Sequence, residues 1–336
     1  MRVLHHLRGL RYVHLASSPG DSAGVLGLRI DTDYSARREV EALYALLRGA
    51  SMPASWFLHA RSHIGWLRDF KAMEHQEIGL HCYAHKVYGR TGLNREMIEK
   101  GRNMLRGAGL DPRGFAAPYG IWSRGLPGDL ESLGFLYSSE FGYDYDNTPS
   151  FPWTGRQFSG LLHVPVHPIT IGSLVRERFD EAAMTGYYDS VISRKLASGE
   201  PIFFYFHPGD GRLDVIRSIL ERAGVSGLTR TTLLGYARWW RERHRIWQTT
   251  DIVFDGEGIT VTCRGEASHE DIRAEIIERD GRLARIKLSQ RIDIGTVVWR
   301  ELPVPPAVPP DIAALTRQRT RRLIEDLRTW FWRRKG

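Results

Sequence analysis

Residues 28–35 read LRIDTDYS. An apolar run that starts at Val25 closes here, interrupted by Arg29, and two acids follow one residue apart, Asp31 and Asp33. Aspartate is depleted in strands, so two of them at a strand end mark a position with a use. Alternation along an extended chain turns both toward the same side. Upstream, VLGLRID (25–31) reads as a strand. Downstream, SARREVEALYALLRG (35–49) reads as a helix, with Val40, Leu43, Leu46 and Leu47 at helical spacing, Ser35 as cap and Gly49 as stop.

The same strand-then-helix alternation continues to about Arg243. ASWFLHA, HQEIGLHCYAH, RGFAAPYG, GFLYSS, LLHVPVH and PIFFYFH read as strands. Helices are expected over 62–73, 93–109, 127–133, 179–197, 211–223 and from 232. Repeated βα units imply a parallel sheet or barrel covered by helices, with active residues at the C-terminal ends of strands. After about 245 the pattern changes to hairpins turning at Asp255-Gly256 and Asp280-Gly281, with a further strand at TVVWREL. The expected organisation is an N-terminal extension (1–23), an α/β barrel (24–245), a small all-β appendage (246–302), a stiff Pro-rich linker PVPPAVPP (303–310) and a basic helix (311–336).

Composition narrows the class. The chain has 336 residues, 42% of them hydrophobic, enough for one large core and an appendage. Two cysteines, Cys82 and Cys263, make no disulfide framework and suit a reducing compartment. No run is long and apolar enough to span a bilayer, and the start MRVLHHLRGLRYVHLASSPG lacks the apolar core of a secretory signal. The expected location is therefore the cytoplasm.

Three strand ends carry metal-binding or acid–base side chains: Asp31 and Asp33, then His81 and His85 in LHCYAH, then His207 in FFYFH. One carboxylate and two histidines make a catalytic divalent-metal set that leaves positions open for water and substrate. Spacing alone does not select the pair, because His59/His63 and His163/His167 repeat it and each reads as polar surface or loop histidines. The company of strand-end acids favours His81/His85. Asp33 also suits a turn or a helix cap, and His207 a loop cap before Pro208.

RIDTDYS, HCYAH, FAAPYG and FYFHPGD, in that order, resemble the motifs of the NodB-type polysaccharide deacetylases, carbohydrate esterase family 4. The resemblance covers about two-thirds of the chain. It implies a distorted (β/α) barrel with fewer strands than eight, Asp31 as general base, and Asp33, His81 and His85 as metal ligands. His207 becomes the general acid. Pro118 and Tyr119 become substrate-binding residues, with the Tyr119 backbone N–H offered to the oxyanion. The family's acid that orients the histidine is expected at Asp144 or Asp146. The implied cofactor is a divalent metal, zinc first and Co, Ni or Mn otherwise. Many members carry an Arg where this chain has Ala116. Without that partner the Asp31 carboxyl is expected to titrate higher than in Arg-bearing relatives. VLGLRIDTDYSARREV and EIGLHCYAH are most similar to the lipid-linked aminoarabinose deformylases, which implies an amino-sugar substrate on a polyprenyl phosphate at the inner membrane face.

Residues 311–336 hold seven Arg and one Lys against three acids, five of the chain's net charge of +8, and end TWFWRRKG. Such a helix suits an anionic membrane surface or docks on its own protein by an apolar stripe. No nucleic-acid motif is present and the basic charge is terminal, so no nucleic-acid partner is expected. Three rival readings stand beside N-deacylation of an amino sugar: a peptidoglycan or other polysaccharide deacetylase, a two-histidine iron oxygenase, and an inactive metal-binding scaffold of the same fold.

Overall fold

A computed structural model describes residues 10–301 apart from 90, 143–145, 256–257, 264–269 and 289–290. Asp144, the Pro-rich stretch and the expected C-terminal helix lie outside the described residues. β1 (Tyr12–Leu15) comes first, then β2 (Val25–Asp31), α1 (Arg37–Gly49), β3 (Ser55–His59), β4 (Glu77–Cys82) and α2 (Thr91–Gly107). β5 (Gly114–Phe115), α3 (Leu126–Ser132), β6 (Tyr137–Ser138) and β7 (Leu162–His163) follow. α4 (Ile171–Arg176), α5 (Glu181–Ser198), β8 (Ile202–Phe206), α6 (Leu213–Val225), β9 (Thr229–Thr231) and α7 (Leu233–Gln248) complete the α/β part.

Seven parallel strands run in the order β7-β6-β5-β4-β3-β2-β8, with β9 added beside the start of β2. The sheet curls. The His167 N–H donates to the Phe203 carbonyl at 2.7 Å, so the chain beyond β7 meets β8 across the gap. This is the distorted (β/α) barrel expected from the motifs. All seven residues of β2 are buried, as a strand covered on both faces should be. Gly27 is required there: a Cβ would come within 2.8 Å of the Phe203 ring. One core joins the strands to α1, α5 and α6. A second, around Val25, Phe57, Tyr137 and Phe203, fills the barrel toward α7.

Several local expectations change. Residues 62–73 are not an α-helix; turns lead into a 3₁₀ segment, Leu67–Ala72. Leu67, Phe70 and Met73 recur every third residue, which suits three residues per turn. α1 starts at Arg37, where the Glu39 carboxylate accepts the Ala36 N–H (2.7 Å). Ser35 caps something else: its hydroxyl accepts the Gly209 N–H (3.2 Å), tying the Asp33 loop to the His207 loop. The short α4, its cap Thr170 accepting from Ser173 N (3.0 Å), was not foreseen.

Two small antiparallel sheets follow α7. β10 (Thr250–Asp255) and β11 (Gly258–Cys263) form the first expected hairpin, joined by β14 (Arg291–Asp293). β12 (Arg273–Ile277) and β13 (Leu283–Lys287) form the second. β1 pairs antiparallel with β12, so residues 12–15 of the N-terminal extension lie in the appendage sheet. Of the strand expected at TVVWREL, one bridge is present, Leu283 to Arg300.

Candidate metal centre

The C-terminal ends of β2, β4 and β8 bring Asp33, His81, His85 and His207 together. Asp33 Oδ1 lies 3.1 Å from His81 Nε2 and 3.3 Å from His85 Nε2. Ligand atoms of Asp33, His81 and His85 all lie within 4.8 Å of one another. His81 Nδ1 donates to the Ala116 carbonyl (2.8 Å), which leaves Nε2 as a lone pair turned to the group. Asp33 Oδ1 is buried with no hydrogen-bond partner among the described residues. A bare carboxylate oxygen converging with imidazole nitrogens is a set a divalent cation fits.

Asp33 is not simply the next outward step of the strand. Its φ is +39°, in the left-handed region. Its carbonyl is clamped there by His59 Nδ1 (3.0 Å) and Ser62 Oγ (2.8 Å). His59 therefore adjoins the centre, and burial lowers its imidazole to about 4. The His59/His63 spacing was read as bland; the role of His59 as a clamp depends on the β2–β3 pairing and on no local signal.

Asp31 closes β2 and is 2% exposed. The expectation drawn from Ala116 is overturned. Arg29, two residues earlier on the same strand face, donates from Nε to Asp31 Oδ1 (2.8 Å) and from Nη2 to Oδ2. The guanidinium also donates to the Ser139 carbonyl. Burial pushes the Asp31 carboxyl up, but the Arg29 charge overrides it, and the carboxyl sits below its ordinary value, not above. An arginine partner is present, carried by β2 itself. The alternation that puts Asp31 and Asp33 on one face also puts Arg29 there, and was the signal available.

His207 Nε2 lies 3.7 Å from Asp33 Oδ2. Its Nδ1 is 3.2 Å from Asp210 Oδ2. The carboxylate beside the His207 ring is Asp210, in HPGD itself. Asp146 accepts the Thr148 N–H (3.1 Å). Burial works against a charged His207, but Asp210, Asp31 and Asp33 outweigh it and raise its value above 6.5. Pro118 is buried, and Tyr119 is 59% exposed with φ +60°, its ring 4.6 Å from that of His85.

No protein-family model matches the sequence, and no curated protein matches it. Solved structures do. The chain has the fold of the polysaccharide deacetylases. A Mycobacterium smegmatis structure assigned to them matches with TM-score 0.57 and 17% identity over 69% of this chain and 96% of that one. One from Pseudomonas aeruginosa PAO1, assigned likewise, matches with TM-score 0.55 and 16% identity over 67% and 93%. PuuE allantoinase matches with TM-score 0.55 and 18% identity over 67% and 93%. At these identities the likeness is one of fold. Among the described residues no helix is long and apolar enough to cross a membrane.

Proposed function

We propose that this chain is a metal-dependent hydrolase that removes an N-acyl group, acetyl or formyl, from an amino sugar. The supporting observation is the convergence of Asp33, His81 and His85 between the Arg29–Asp31 pair and the His207–Asp210 pair. A divalent ion held by Asp33, His81 and His85 would polarise the amide carbonyl and acidify water, and the mixed N/O set suits zinc before Co, Ni or Mn. Asp31, kept ionised by Arg29, takes the proton of the attacking water. The Tyr119 N–H faces the developing oxyanion. As the C–N bond breaks, His207 gives its proton to the nitrogen, releasing a free carboxylic acid and an amine. The inactive-scaffold reading rested on Ala116, and Arg29 removes that support.

Amine release from N-acetyl and N-formyl amino sugars, with and without chelator, is the direct test. Release that stops with chelator and returns with Zn²⁺ or Co²⁺ supports the reading; no release from either series by metal-loaded protein overturns it. Asp31 stays ionised into the acid range, while His207 must be protonated to act. Activity should therefore hold at neutral pH and fall as pH rises through the His207 value. Asp210→Asn removes a charge that raises that value, so the alkaline limb should move to lower pH. An unmoved limb in a pH–rate profile counts against Asp210 as the orienting acid.

The substrate sugar is proposed to be lipid-linked, with the basic segment 311–336 holding the protein on an anionic leaflet at the inner membrane face. Its seven Arg and one Lys are worth about 1 kcal/mol each near such a surface. Removing 311–336 should abolish sedimentation with anionic liposomes at low salt while sparing hydrolysis of a soluble substrate. A full-length protein that ignores those liposomes sinks the membrane part alone.

A further inference from the structure

Glu140 follows β6 and is 1% exposed. Its Oε1 accepts the Ala117 N–H at 3.1 Å. The neighbouring Ala116 carbonyl accepts His81 Nδ1. The dipeptide 116–117 is therefore gripped from both sides, by a proposed metal ligand and by Glu140, just before the Pro118–Tyr119 turn. The other carboxyl oxygen, Oε2, is buried with no hydrogen-bond partner among the described residues. It faces His163 Nε2 at 3.6 Å. That nitrogen accepts the Glu140 backbone N–H (3.3 Å), so it presents a lone pair. Burial next to Arg29 lowers the His163 imidazole to about 4, and it is neutral.

An ionised Glu140 would thus bury a charged oxygen against a lone pair, which is costly. Arg29 answers it only at a distance: three of its five N–H groups go to Asp31 and the Ser139 carbonyl, and its charge favours ionised Glu140 without outweighing burial. A proton on Oε2 removes the conflict. The charged or titratable groups facing Glu140 are Arg29 and Asp31 from β2 and His163 from β7; the loop after β5 offers the Ala117 N–H.

We propose that Glu140 is a positioning residue held as the neutral acid, which fixes the 116–119 turn through Ala117 and, by staying uncharged, leaves the Arg29 guanidinium to Asp31. This rests on the reading of Asp31 and of the metal ligands given above. Burial, opposed by Arg29, the Ser138 hydroxyl and the Ala117 N–H and reinforced by the Asp31 charge, lifts the Glu140 carboxyl to about 7. The group therefore keeps its proton through most of the range in which an ordinary glutamic acid has lost it. Above that range its ionisation would set a second carboxylate in competition for Arg29.

Two measurements on the full-length protein test this without any sugar substrate. The folded value is about 7 against an ordinary 4.5. Stability from this group is thus complete below about 4.5 and is lost as pH rises through about 7. Glu140→Gln does not titrate. Its melting temperature relative to wild type should climb by about 5 °C between pH 5 and pH 8. A gap that is constant with pH overturns the neutral acid. Co²⁺ titration then reads the turn: Glu140→Ala should weaken Co²⁺ binding about tenfold, and Glu140→Gln, which keeps an acceptor for Ala117, should not. Equal weakening by both, or by neither, overturns the positioning role. Failure of amide hydrolysis would leave both readouts standing, so the two ideas fail separately.

Discussion

His81→Ala/His85→Ala protein should fold, fail to retain a stoichiometric divalent ion, and release no amine from any N-acyl sugar. Two of three ligands are then gone, and the remaining carboxylate, Asp33, is partly open to solvent. A lone carboxylate does not compete with chelator or buffer for a divalent ion. The fold should survive because the two rings lie at the site, outside the apolar clusters that hold the barrel together, although His81 is buried. His81 contributes one hydrogen bond, to the Ala116 carbonyl, worth about 1 kcal/mol. The apolar clusters under β2, β3, β4 and β8 do not include His81 or His85. Metal analysis of the dialysed variant, with circular dichroism to confirm folding, is the check. A variant that still holds one ion per chain would show that the ligands lie elsewhere.

The second large effect concerns Arg29 and Asp31. Arg29→Met should destabilise the protein by about 3–5 kcal/mol, because it strands a buried carboxylate without its partner. The carboxylate's answer is to keep its proton. In wild type the Asp31 carboxyl lies below its ordinary value, so its contribution to stability is present above that ordinary value and is lost as pH falls through the folded one. In Arg29→Met the sign reverses, and the deficit should shrink at low pH, where Asp31 is neutral. Asp31→Asn should keep the metal and lower turnover by about 10²–10⁴. The double variant should be markedly less destabilised than the two single changes added together, since removing both members leaves no buried charge. Strict additivity in urea melts would mean that the pair is not coupled.

The arginine also shows where reading along the chain stops. The acids at 31 and 33 and the histidines at 81, 85 and 207 were legible because each ends an apolar run, and a run's end is a local fact. Arg29 stands in the same eight residues, whereas the resemblance points to Ala116, just after β5, as the arginine position. In the folded barrel the guanidinium reaches Asp31 from the same strand, two residues away. No one-dimensional pattern says which strand supplies it. Asp210 is the converse case: it stands three residues from His207 in HPGD, and its carboxylate meets the ring of that histidine.

Sequence by itself determined the βα order, the strand ends that hold Asp31, Asp33, His81, His85 and His207, and the strand pairs of the two appendage hairpins. These follow from side-chain periodicity, turn chemistry and caps, which act over a few residues. Tertiary structure alone decided that the N-terminal strand Tyr12–Leu15 pairs with Arg273–Ile277. It also decided that His59 clamps the left-handed Asp33, that Arg29 serves Asp31, and that Glu140 is closed in against Ala117 and His163. Each of these joins residues far apart in the chain or selects among equivalent lumen-facing positions. The curl of the sheet sets those distances, and with them which buried charges meet a partner and which must remain protonated.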